Sequence, residues 1–326
     1  MRVLIVARCK NGRYAPFITE QVEAIEKQGV ECRYFGVDGQ GIVGYLRQIP
    51  KLRKVIREFR PDIIHAHYGL CGLLANYQRK VPVITTYHGS DINAPQAFRF
   101  SKKAIRRSRF NIFVSQKNVE TARPQKDFAL IPCGINLDDY PVLDKADARR
   151  QMGLKPSGKY VLFAGAFDNR VKNAPLAKAA MELVPDAELL ELKGFSRPQV
   201  AALMQAVDAF LMTSFTEGSP QVIKEALACG CPIVSVDVGD VRERIEGIDG
   251  CYISGRDPEN LARSIRHALD FGGRTNGRQV IGNNGLSNDV IAARIISVYE
   301  NLISLESLYI SATRPTFITT RTPSLP

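Results

Sequence analysis

Residues 210–228 read FLMTSFTEGSPQVIKEALA, a stretch that combines an apolar strand, a small-residue turn and a helix. Phe210 to Met212 is a continuous apolar run, as found in strands buried within a parallel sheet. Gly218 and Ser219 suit a tight turn, and Pro220 suits the first position of a helix, where its missing N–H costs nothing. The stretch therefore predicts a strand that leads through a loop into a helix, the unit of an α/β fold.

The same alternation of short apolar strands and helices extends in both directions from this stretch. In the first half, the predicted strands are 3–7, 31–35, 62–67, 81–87 and 111–115, and the predicted helices are 17–28, 46–59, 70–78 and 98–108. In the second half, the predicted strands are 161–165, 188–192, 210–214, 232–236 and 250–253, and the predicted helices are 173–183, 198–207, 220–229 and 260–270. Such alternation implies parallel sheets covered on both faces, so we predict two Rossmann-like, doubly wound α/β domains.

The domain boundaries follow from composition. Residues 136–159 are polar and contain two prolines and two glycines, which indicates a linker with a short helix. We therefore predict an N-terminal domain at 1–140, a C-terminal domain at 141–285 and a closing helix at 286–305. The remaining residues, 306–326, lack hydrophobic periodicity and predict a disordered tail. Within the helix predicted at 46–59, Pro50 is expected to be a break or a first-turn residue.

The net charge of +11 lies entirely in the first half of the chain. Residues 1–140 hold 23 Lys and Arg against 12 Asp and Glu, whereas the other residues hold the two kinds in equal number. The cations are concentrated at 47–60 and 99–109. If these stretches are helical they would present cations beside an apolar stripe, which suits an anionic membrane leaflet or a lipid-diphosphate acceptor. The alternative for either stretch is a plain solvated face.

Composition excludes several classes of protein. A hydrophobic content of 45% and a charged content of 24% are ordinary for a globular protein and exclude a wholly disordered chain. No stretch approaches the roughly 18 uncharged apolar residues that span a bilayer, and residues 1–8 are too short and too soon charged for a signal peptide. Seven scattered cysteines indicate a reducing compartment, so we predict a cytoplasmic protein.

The loop at 213–221 has the composition of a sugar-nucleotide site. Ligands of open parallel sheets bind at the carboxyl ends of the strands, and the N–H groups that start the next helix favour an anion such as a diphosphate. Glu217 lies in the loop and Glu225 inside the helix, and carboxylates are good acceptors for sugar hydroxyls. The alternative is that Glu217 merely complements the helix dipole and Glu225 is an ordinary surface glutamate.

Residues 217–234, EGSPQVIKEALACGCPIV, resemble the Glu-x7-Glu motif of the retaining glycosyltransferases of family 4, and DVGDVRE at 237–243 fits its continuation. The resemblance spans most of residues 1–305 and is closest to bacterial members that build cell-surface polysaccharide, of the teichuronic acid type. It implies the GT-B fold, in which the two Rossmann-like domains face each other across a cleft. It also implies that Glu225 binds the ribose diol and Glu217 contacts the donor sugar, with backbone from Gly218 through Ser219, Pro220 and Gln221 to Val222 against the sugar and diphosphate.

A second loop, Thr86 to Asp91, follows the predicted strand 81–87 and contains His88. A single histidine at a strand end is commonly structural, but His-Gly-Ser-Asp in this position is similar to the family's first-domain motif. The resemblance implies that His88 faces the donor sugar across the cleft and hydrogen-bonds a sugar hydroxyl or helps to bind the acceptor. Asp91 is expected to be a cap or a loop support.

A third element is the loop at 165–173, which contains two cations. Many family members have Gly-Arg shortly before a lysine, and both cations neutralise the leaving diphosphate. Here Ala166 replaces that arginine, so we assign the lysine role to Lys172 and expect Arg170 to substitute for the missing arginine. The alternative is that both are solvated cations on a loop.

Gly12, in the stretch 11–21, resembles the family's first loop and would permit close approach of the backbone to the donor. His65 and His67 lie two residues apart on one strand face, but no carboxylate or cysteine has suitable spacing. There is also no Asp-x-Asp motif, and enzymes of this kind are usually metal-independent, so we predict neither a metal nor a cofactor.

The predicted function is transfer of a sugar, with retention, from a UDP- or GDP-sugar to a saccharide or lipid-linked acceptor, on the inner face of the membrane. An alternative is a nucleotide-sugar epimerase, which shares the GT-B architecture but requires acid/base carboxylates and histidines, and the chain has four histidines. A second alternative is a non-catalytic membrane-surface binding protein. A nucleic-acid binder is disfavoured because stacking aromatics do not interleave the cations, and a dehydrogenase because no Gly-x-Gly-x-x-Gly follows the first strand.

Overall fold

The computed structural model describes residues 1–39 and 41–313. The first half forms a parallel sheet of six strands in the order β2-β1-β3-β4-β5-β6. Its strands are β1 (Arg2–Arg8), β2 (Glu31–Val37), β3 (Ile63–His67), β4 (Val83–Tyr87), β5 (Phe110–Phe113) and β6 (Phe128–Leu130). Its helices are α1 (Pro16–Lys27), α2 (Gly41–Leu46), α3 (Ile49–Phe59), α4 (Gly69–Ala75), α5 (Ser90–Asn93), α6 (Pro95–Arg107) and α7 (Gln116–Ala122).

The apolar run of β1 shows why this sheet is buried on both faces. Val3 and Ile5 belong to the core beneath α1, whereas Leu4 and Val6 belong to the core beneath α3 and α4. Successive side chains of a strand point to opposite faces, so a sheet covered twice needs apolar residues at consecutive positions. The doubly wound arrangement predicted for the first half is therefore confirmed.

The second half forms a parallel sheet of five strands in the order β11-β10-β9-β7-β8. Its strands are β7 (Tyr160–Phe163), β8 (Glu188–Glu191), β9 (Ala209–Met212), β10 (Ile233–Val236) and β11 (Cys251–Ser254). Its helices are α8 (Lys145–Met152), α9 (Ala174–Glu182), α10 (Arg197–Ala206), α11 (Gln221–Ala228), α12 (Val241–Ile245), α13 (Pro258–Phe271) and α14 (Gly277–Asn283). The second Rossmann-like domain is thus confirmed, and α8 is the short helix expected in the linker.

The last helix, α15 (Asn288–Thr313), returns to the first half of the chain. Ile291, Ile295 and Leu302 lie in the apolar core formed by β1 and α1. The Tyr299 hydroxyl is fully buried and lies 2.6 Å from Nδ1 of His65 on β3. The first core is therefore completed by residues almost 300 positions from its first strand.

Several elements differ from their predicted extents. The helix predicted at 46–59 corresponds to α3, which begins at Ile49, whereas residue 46 ends the separate helix α2. Pro50 occupies the first turn of α3 because that position needs no N–H. The closing helix does not end at residue 305 but continues to Thr313, because no proline or glycine interrupts it before Pro315. The tail prediction is therefore wrong for 306–313, and its remainder, 314–326, lies outside the described residues. The unpredicted helices are α2, α5, α7, α12 and α14, and the unpredicted strand is β6.

Across residues 1–39 and 41–313, no helix has both the length and the apolar character required to cross a bilayer.

Substitutions on α15 test whether this helix stabilises the first domain. Ile295→Ala is expected to lower the free energy of unfolding by about 2–5 kcal/mol, because Ile295 is 2% exposed and its loss leaves a cavity. Val290→Ala on the same helix is the matched control, since Val290 is 43% exposed and should change stability by less than about 0.5 kcal/mol. Urea unfolding measures both, and equal values for the two variants would contradict the packing.

Candidate active site

The loops that follow β4 and β9 meet where the two halves of the chain face each other. Gly89 has a φ of 104°, and a Cβ atom added there would lie 2.4 Å from the Cα of Gly218. A Cβ added at Gly218 would in turn lie 2.2 Å from the carbonyl oxygen of His88. Both positions therefore require glycine, and the two predicted loops come together at one site.

Polar contacts between the halves hold this junction closed. The Asn93 side-chain amide donates to the Glu217 carbonyl oxygen and to the Thr216 hydroxyl, each at 2.9 Å. Beside it, the Lys117 ammonium lies 2.5 Å from the Asp237 carboxylate. The backbone of the loop that carries Glu217 is thus fixed by residues of the first domain.

The structure brings together two predicted site residues, Lys172 and Glu217. The Lys172 Nζ lies 2.8 Å from Glu217 Oε1, and both side chains are largely buried. Lys172 ends a 3-10 helix, Arg170–Lys172, and the Thr213 hydroxyl is within hydrogen-bonding distance of its carbonyl oxygen, at 2.9 Å. The loops after β7 and β9 therefore place a cation and a carboxylate as one pair in the cleft.

Arg170 begins the same 3-10 helix, but its side chain is exposed. Among the ion pairs of the described residues, none includes Arg170. The substitution of Arg170 for the arginine missing at Ala166 therefore stays a prediction.

The start of α11 differs slightly from the prediction. The helix begins at Gln221, and Pro220 precedes it as the capping residue, with a φ of −68° and a ψ of 117°. The Gln221 side-chain amide donates to the Gly134 carbonyl oxygen at 2.8 Å, so this side chain joins α11 to the segment between the domains. Val222, also predicted to line the donor site, is half-buried in the first turn.

A buried lysine that the sequence analysis missed organises this turn. The Lys224 ammonium donates to the Cys133 carbonyl oxygen at 2.8 Å, to Ser219 Oγ at 2.9 Å and to Gln221 Oε1 at 2.7 Å. The side chain is fully buried, and this burial lowers the pKa of Lys224. Its three N–H bonds have three acceptors, which offsets the cost of burying the ammonium.

The hydrogen bonds continue from Ser219 to a buried ion pair. The Ser219 hydroxyl donates to Asp240 Oδ2 at 2.7 Å, and Arg244 Nε donates to the same oxygen at 2.8 Å. Ser219, predicted to contact the donor, is therefore held on its side-chain oxygen by Lys224 and Asp240.

Glu225 lies in a separate polar group on the next face of α11. Burial raises the pKa of its carboxyl group, and the Arg197 guanidinium and a hydrogen bond from Tyr140 act against this rise. Arg197 also pairs with Glu20 of α1 and, at 2.9 Å, with Asp139. Residues from both domains thus surround Glu225. The alternative that Glu225 is an ordinary surface glutamate does not fit this burial.

His88 is the outermost member of a stack of three histidines. Its Nε2 lies 3.0 Å from His67 Nδ1, and its Nδ1 lies 3.6 Å from the Cys133 sulfur. The rings of His65 and His67 stack with centroids 4.5 Å apart. Burial lowers the pKa of His67 to about 3 and that of His88 well below its usual value, so both rings are neutral at pH 7.

Asp91 supports the loop that carries His88, as predicted. Its Oδ1 accepts the backbone N–H groups of His88 at 3.0 Å and Gly89 at 3.1 Å, and its Oδ2 accepts that of Gly69 at 2.9 Å. Burial raises the pKa of Asp91 to about 6, and these hydrogen bonds limit the rise. The Asp91 carboxylate therefore holds the backbone of the loop that positions His88.

Gly12 lies in a tight turn between Lys10 and Arg13, whose backbone groups pair at 2.9 and 3.0 Å. Asn11 and Gly12 have φ values of 51° and 75°, a combination that favours Asn-Gly. A Cβ added at Gly12 would meet no atom within 4 Å. The structure gives Gly12 a conformational reason to be glycine, and its contact with the donor stays a prediction.

Within the described ranges, no group of three or more His, Cys, Asp or Glu residues is placed to hold a metal ion. Both ring nitrogens of His65 have neighbours in the protein, since they lie 2.7 Å from the Thr86 hydroxyl and 2.6 Å from that of Tyr299.

The sequence analysis missed Lys224, Asn93 and Arg197, and only Lys224 left a signal in the sequence. Lys224 stands beside Ile223 on the buried side of α11, and a charge within an apolar run is a usable signal of a buried partner. Asn93 and Arg197 gave no such signal, because the contacts of Asn93 with Glu217 and of Arg197 with Glu20 each join residues more than 120 positions apart.

Two family models match the chain. Residues 11–139 match the model of Glycosyltransferase Family 4, and residues 162–270 match that of Glycosyl transferases group 1. Together these ranges contain both loops that meet at Gly89 and Gly218.

Among curated proteins, the chain is 26% identical over 239 residues to TuaC of Bacillus subtilis (strain 168), described as a glycosyltransferase of teichuronic acid biosynthesis. This match covers 64% of the chain and 61% of that protein. The chain thus spans about three fifths of the length of the first curated relatives it matches.

Solved structures show the same fold. Sucrose-phosphate synthase from Thermosynechococcus elongatus superposes with a TM-score of 0.80 at 18% identity, over 93% of this chain and 99% of that chain. Anabaena HepE, in complex with UDP and glucose, superposes with a TM-score of 0.70 at 16% identity, over 92% and 99% of the two chains. The GT-B fold is therefore confirmed, and with both family models matched, the chain belongs to the family 4 glycosyltransferases.

Proposed function

We propose that this protein transfers a sugar, with retention, from a nucleotide-diphosphate sugar to an acceptor hydroxyl in the biosynthesis of a cell-surface polysaccharide or glycolipid. The observation that carries the proposal is the Lys172–Glu217 pair at 2.8 Å, set in the closed junction between the two sheets. A cation and a sugar-binding carboxylate at the carboxyl ends of parallel strands suit a donor with both a diphosphate and a sugar.

The donor would lie along the loop at 213–221. Glu225, on the buried face of α11, would accept the ribose hydroxyls, and Glu217 those of the donor sugar. The family assignment and the HepE structure with UDP support a nucleotide-sugar donor. Neither matched model favours the epimerase alternative.

The chemical step would depend on stabilising charge on the departing diphosphate. Lys172 and Arg170 would supply the cations, together with the backbone N–H groups that follow Gly218, and no metal ion is required in this scheme. Because the Lys172 ammonium pairs with Glu217, the diphosphate would compete for the ammonium as the sugar engages Glu217. His88, neutral and hydrogen-bonded on Nε2, would contact a sugar hydroxyl and would not act as a general base.

A basic face on the first domain supports association with a membrane surface. We define it as the cations of α3 and α6 around Tyr77, namely Arg53, Arg57, Lys103, Arg106 and Arg107, with the apolar side chains Ile42, Val43 and Leu46 of α2. The Arg107 guanidinium lies 5.7 Å from the centre of the Tyr77 ring. The two cation-rich stretches, far apart in sequence, therefore form one surface with exposed apolar groups, as interfacial binding requires.

The raised pKa of Glu225 predicts how donor binding changes with pH. Because the carboxylate is the hydroxyl acceptor, affinity for UDP-glucose should fall as the pH drops through this raised pKa, at a higher pH than for an exposed glutamate. Calorimetric titrations between pH 5 and 8 measure this, since the diphosphate diester of UDP-glucose does not titrate there. Glu225→Gln should bind at least tenfold more weakly at pH 8 and show no such pH dependence. A variant with wild-type affinity across the range would contradict the assignment.

Removal of Lys172 tests the leaving-group role. Lys172→Ala is expected to lower kcat about 10²–10³-fold, the usual effect of losing one group that stabilises charge in a transition state. Lys159→Ala is the matched control, because Lys159 also forms an ion pair, with Asp186 at 2.7 Å. Lys159 precedes β7, whereas Lys172 lies beyond the carboxyl end of that strand. Release of nucleoside diphosphate gives the rate, and similar rates for the two variants would exclude the role.

Vesicle binding tests the basic face. Lys103→Glu combined with Arg106→Glu should weaken sedimentation with vesicles of phosphatidylcholine and phosphatidylglycerol at least tenfold, since each surface cation contributes about 1 kcal/mol. Lys155→Glu combined with Arg263→Glu changes the net charge equally in the second domain and should bind as the wild type does. Equal binding of the wild type to neutral vesicles would count against the proposal, as would insensitivity to salt.

A further inference from the structure

A cavity of about 680 Å³ opens in the first domain, and Ser90 and Asp91, which follow His88, are part of its lining. It lies at the carboxyl ends of β1, β3 and β4. Its lining includes three cations, two tyrosines and a carboxylate, namely Arg8, Lys10, Arg13, Tyr45, Tyr68 and Asp91. None of them belongs to the basic face around Tyr77 or to the donor loop.

Three cations converge on the rim of this cavity. Arg8 is the last residue of β1, and the turn through Asn11 and Gly12 holds Lys10 and Arg13 side by side. All three cations are exposed, and none forms an ion pair with another described residue. The backbone pairing of the turn therefore holds Lys10 and Arg13 together near Arg8, and none of the three has an ion-pair partner in the described part of the chain.

The one carboxylate that lines the cavity does not satisfy these cations. Both oxygens of Asp91 accept backbone N–H groups, from His88, Gly89 and Gly69. The cavity therefore has three cations and no carboxylate oxygen directed to them, which suits an anion of the ligand.

One aromatic residue of the cavity lining, Tyr68, contacts His88. The Tyr68 ring lies with its centre 4.7 Å from that of His88. Burial raises the pKa values of Tyr45 and Tyr68, and the positive charge of Arg8, which lines the same cavity, opposes both rises. Phenol rings and hydroxyls suit a sugar or polyol ring, so the cavity offers a ring platform between His88 and a cationic rim.

We infer that the acceptor is an anionic sugar or polyol, whose phosphate or carboxylate binds Arg8, Lys10 and Arg13 while its reacting hydroxyl lies near His88. This inference rests on the proposed transferase function and names the acceptor class for it. The anion could belong to a soluble sugar phosphate or to a lipid-linked phosphate, and both present the same charged oxygens to the rim.

The direct test is phosphate binding to the protein saturated with UDP, which fills the donor diphosphate site. By calorimetry at low ionic strength, inorganic phosphate and glucose 6-phosphate should bind, and glucose should bind at least tenfold more weakly than glucose 6-phosphate. Lys10→Gln combined with Arg13→Gln should weaken binding of both phosphates at least tenfold. Lys155→Gln combined with Arg263→Gln, the same charge loss in the second domain, should leave it unchanged.

Other outcomes are equally decisive. Equal affinity for glucose and glucose 6-phosphate would overturn the inference, as would unchanged phosphate binding in the Lys10/Arg13 variant. Farnesyl phosphate in detergent distinguishes the source of the anion. If it binds more tightly than glucose 6-phosphate and the Lys10/Arg13 variant loses this binding, a lipid-linked acceptor is supported. If the variant keeps the tighter binding, the assignment of that anion to this rim is overturned. Failure of UDP itself to bind the wild type would contradict the proposed function, whereas UDP binding without phosphate binding would contradict this inference alone.

Discussion

The buried ammonium of Lys224 is the interaction on which the donor side of the cleft depends. Its three hydrogen bonds join the first turn of α11, the Ser219 side chain and the Cys133 carbonyl between the domains. An uncompensated buried charge costs several kcal/mol, so all three acceptors must keep their positions while the lysine stays charged. The backbone from Gly218 to Gln221 is thereby fixed before any ligand arrives, which lets its N–H groups act without reorganisation.

A second constraint is steric and acts between the domains. Gly89 and Gly218 approach so closely that neither accepts a Cβ atom, and Asn93 holds the backbone of the Glu217 loop. The helix α15 returns to the first core and places the Tyr299 hydroxyl against His65, at the base of the histidine stack. The position of His88 in the cleft thus depends on packing that begins near the C-terminal end of the described chain.

The charge of the first half becomes two separate surfaces once the chain is folded. The cations of α3 and α6 lie on an outer face with exposed apolar residues, whereas Arg8, Lys10 and Arg13 rim a cavity beside His88. Counting charges along the sequence indicated an anionic partner but treated all cations alike. The fold separates them because helix surfaces and strand ends lie in different places on a doubly wound sheet.

The sequence by itself determined the α/β class, both parallel sheets and the family, because apolar periodicity and the 217–232 motif are local signals. It also identified Lys172, Glu217, Glu225 and His88 as candidates, although their roles remain predictions. Only the tertiary structure decided that Lys172 pairs with Glu217 and that α15 completes the first core. These depend on contacts between residues distant in sequence, which neither propensity nor spacing encodes. The loop at 213–221, from which the fold could be predicted, is held in place by Asn93 and Cys133, which no local pattern connects to it.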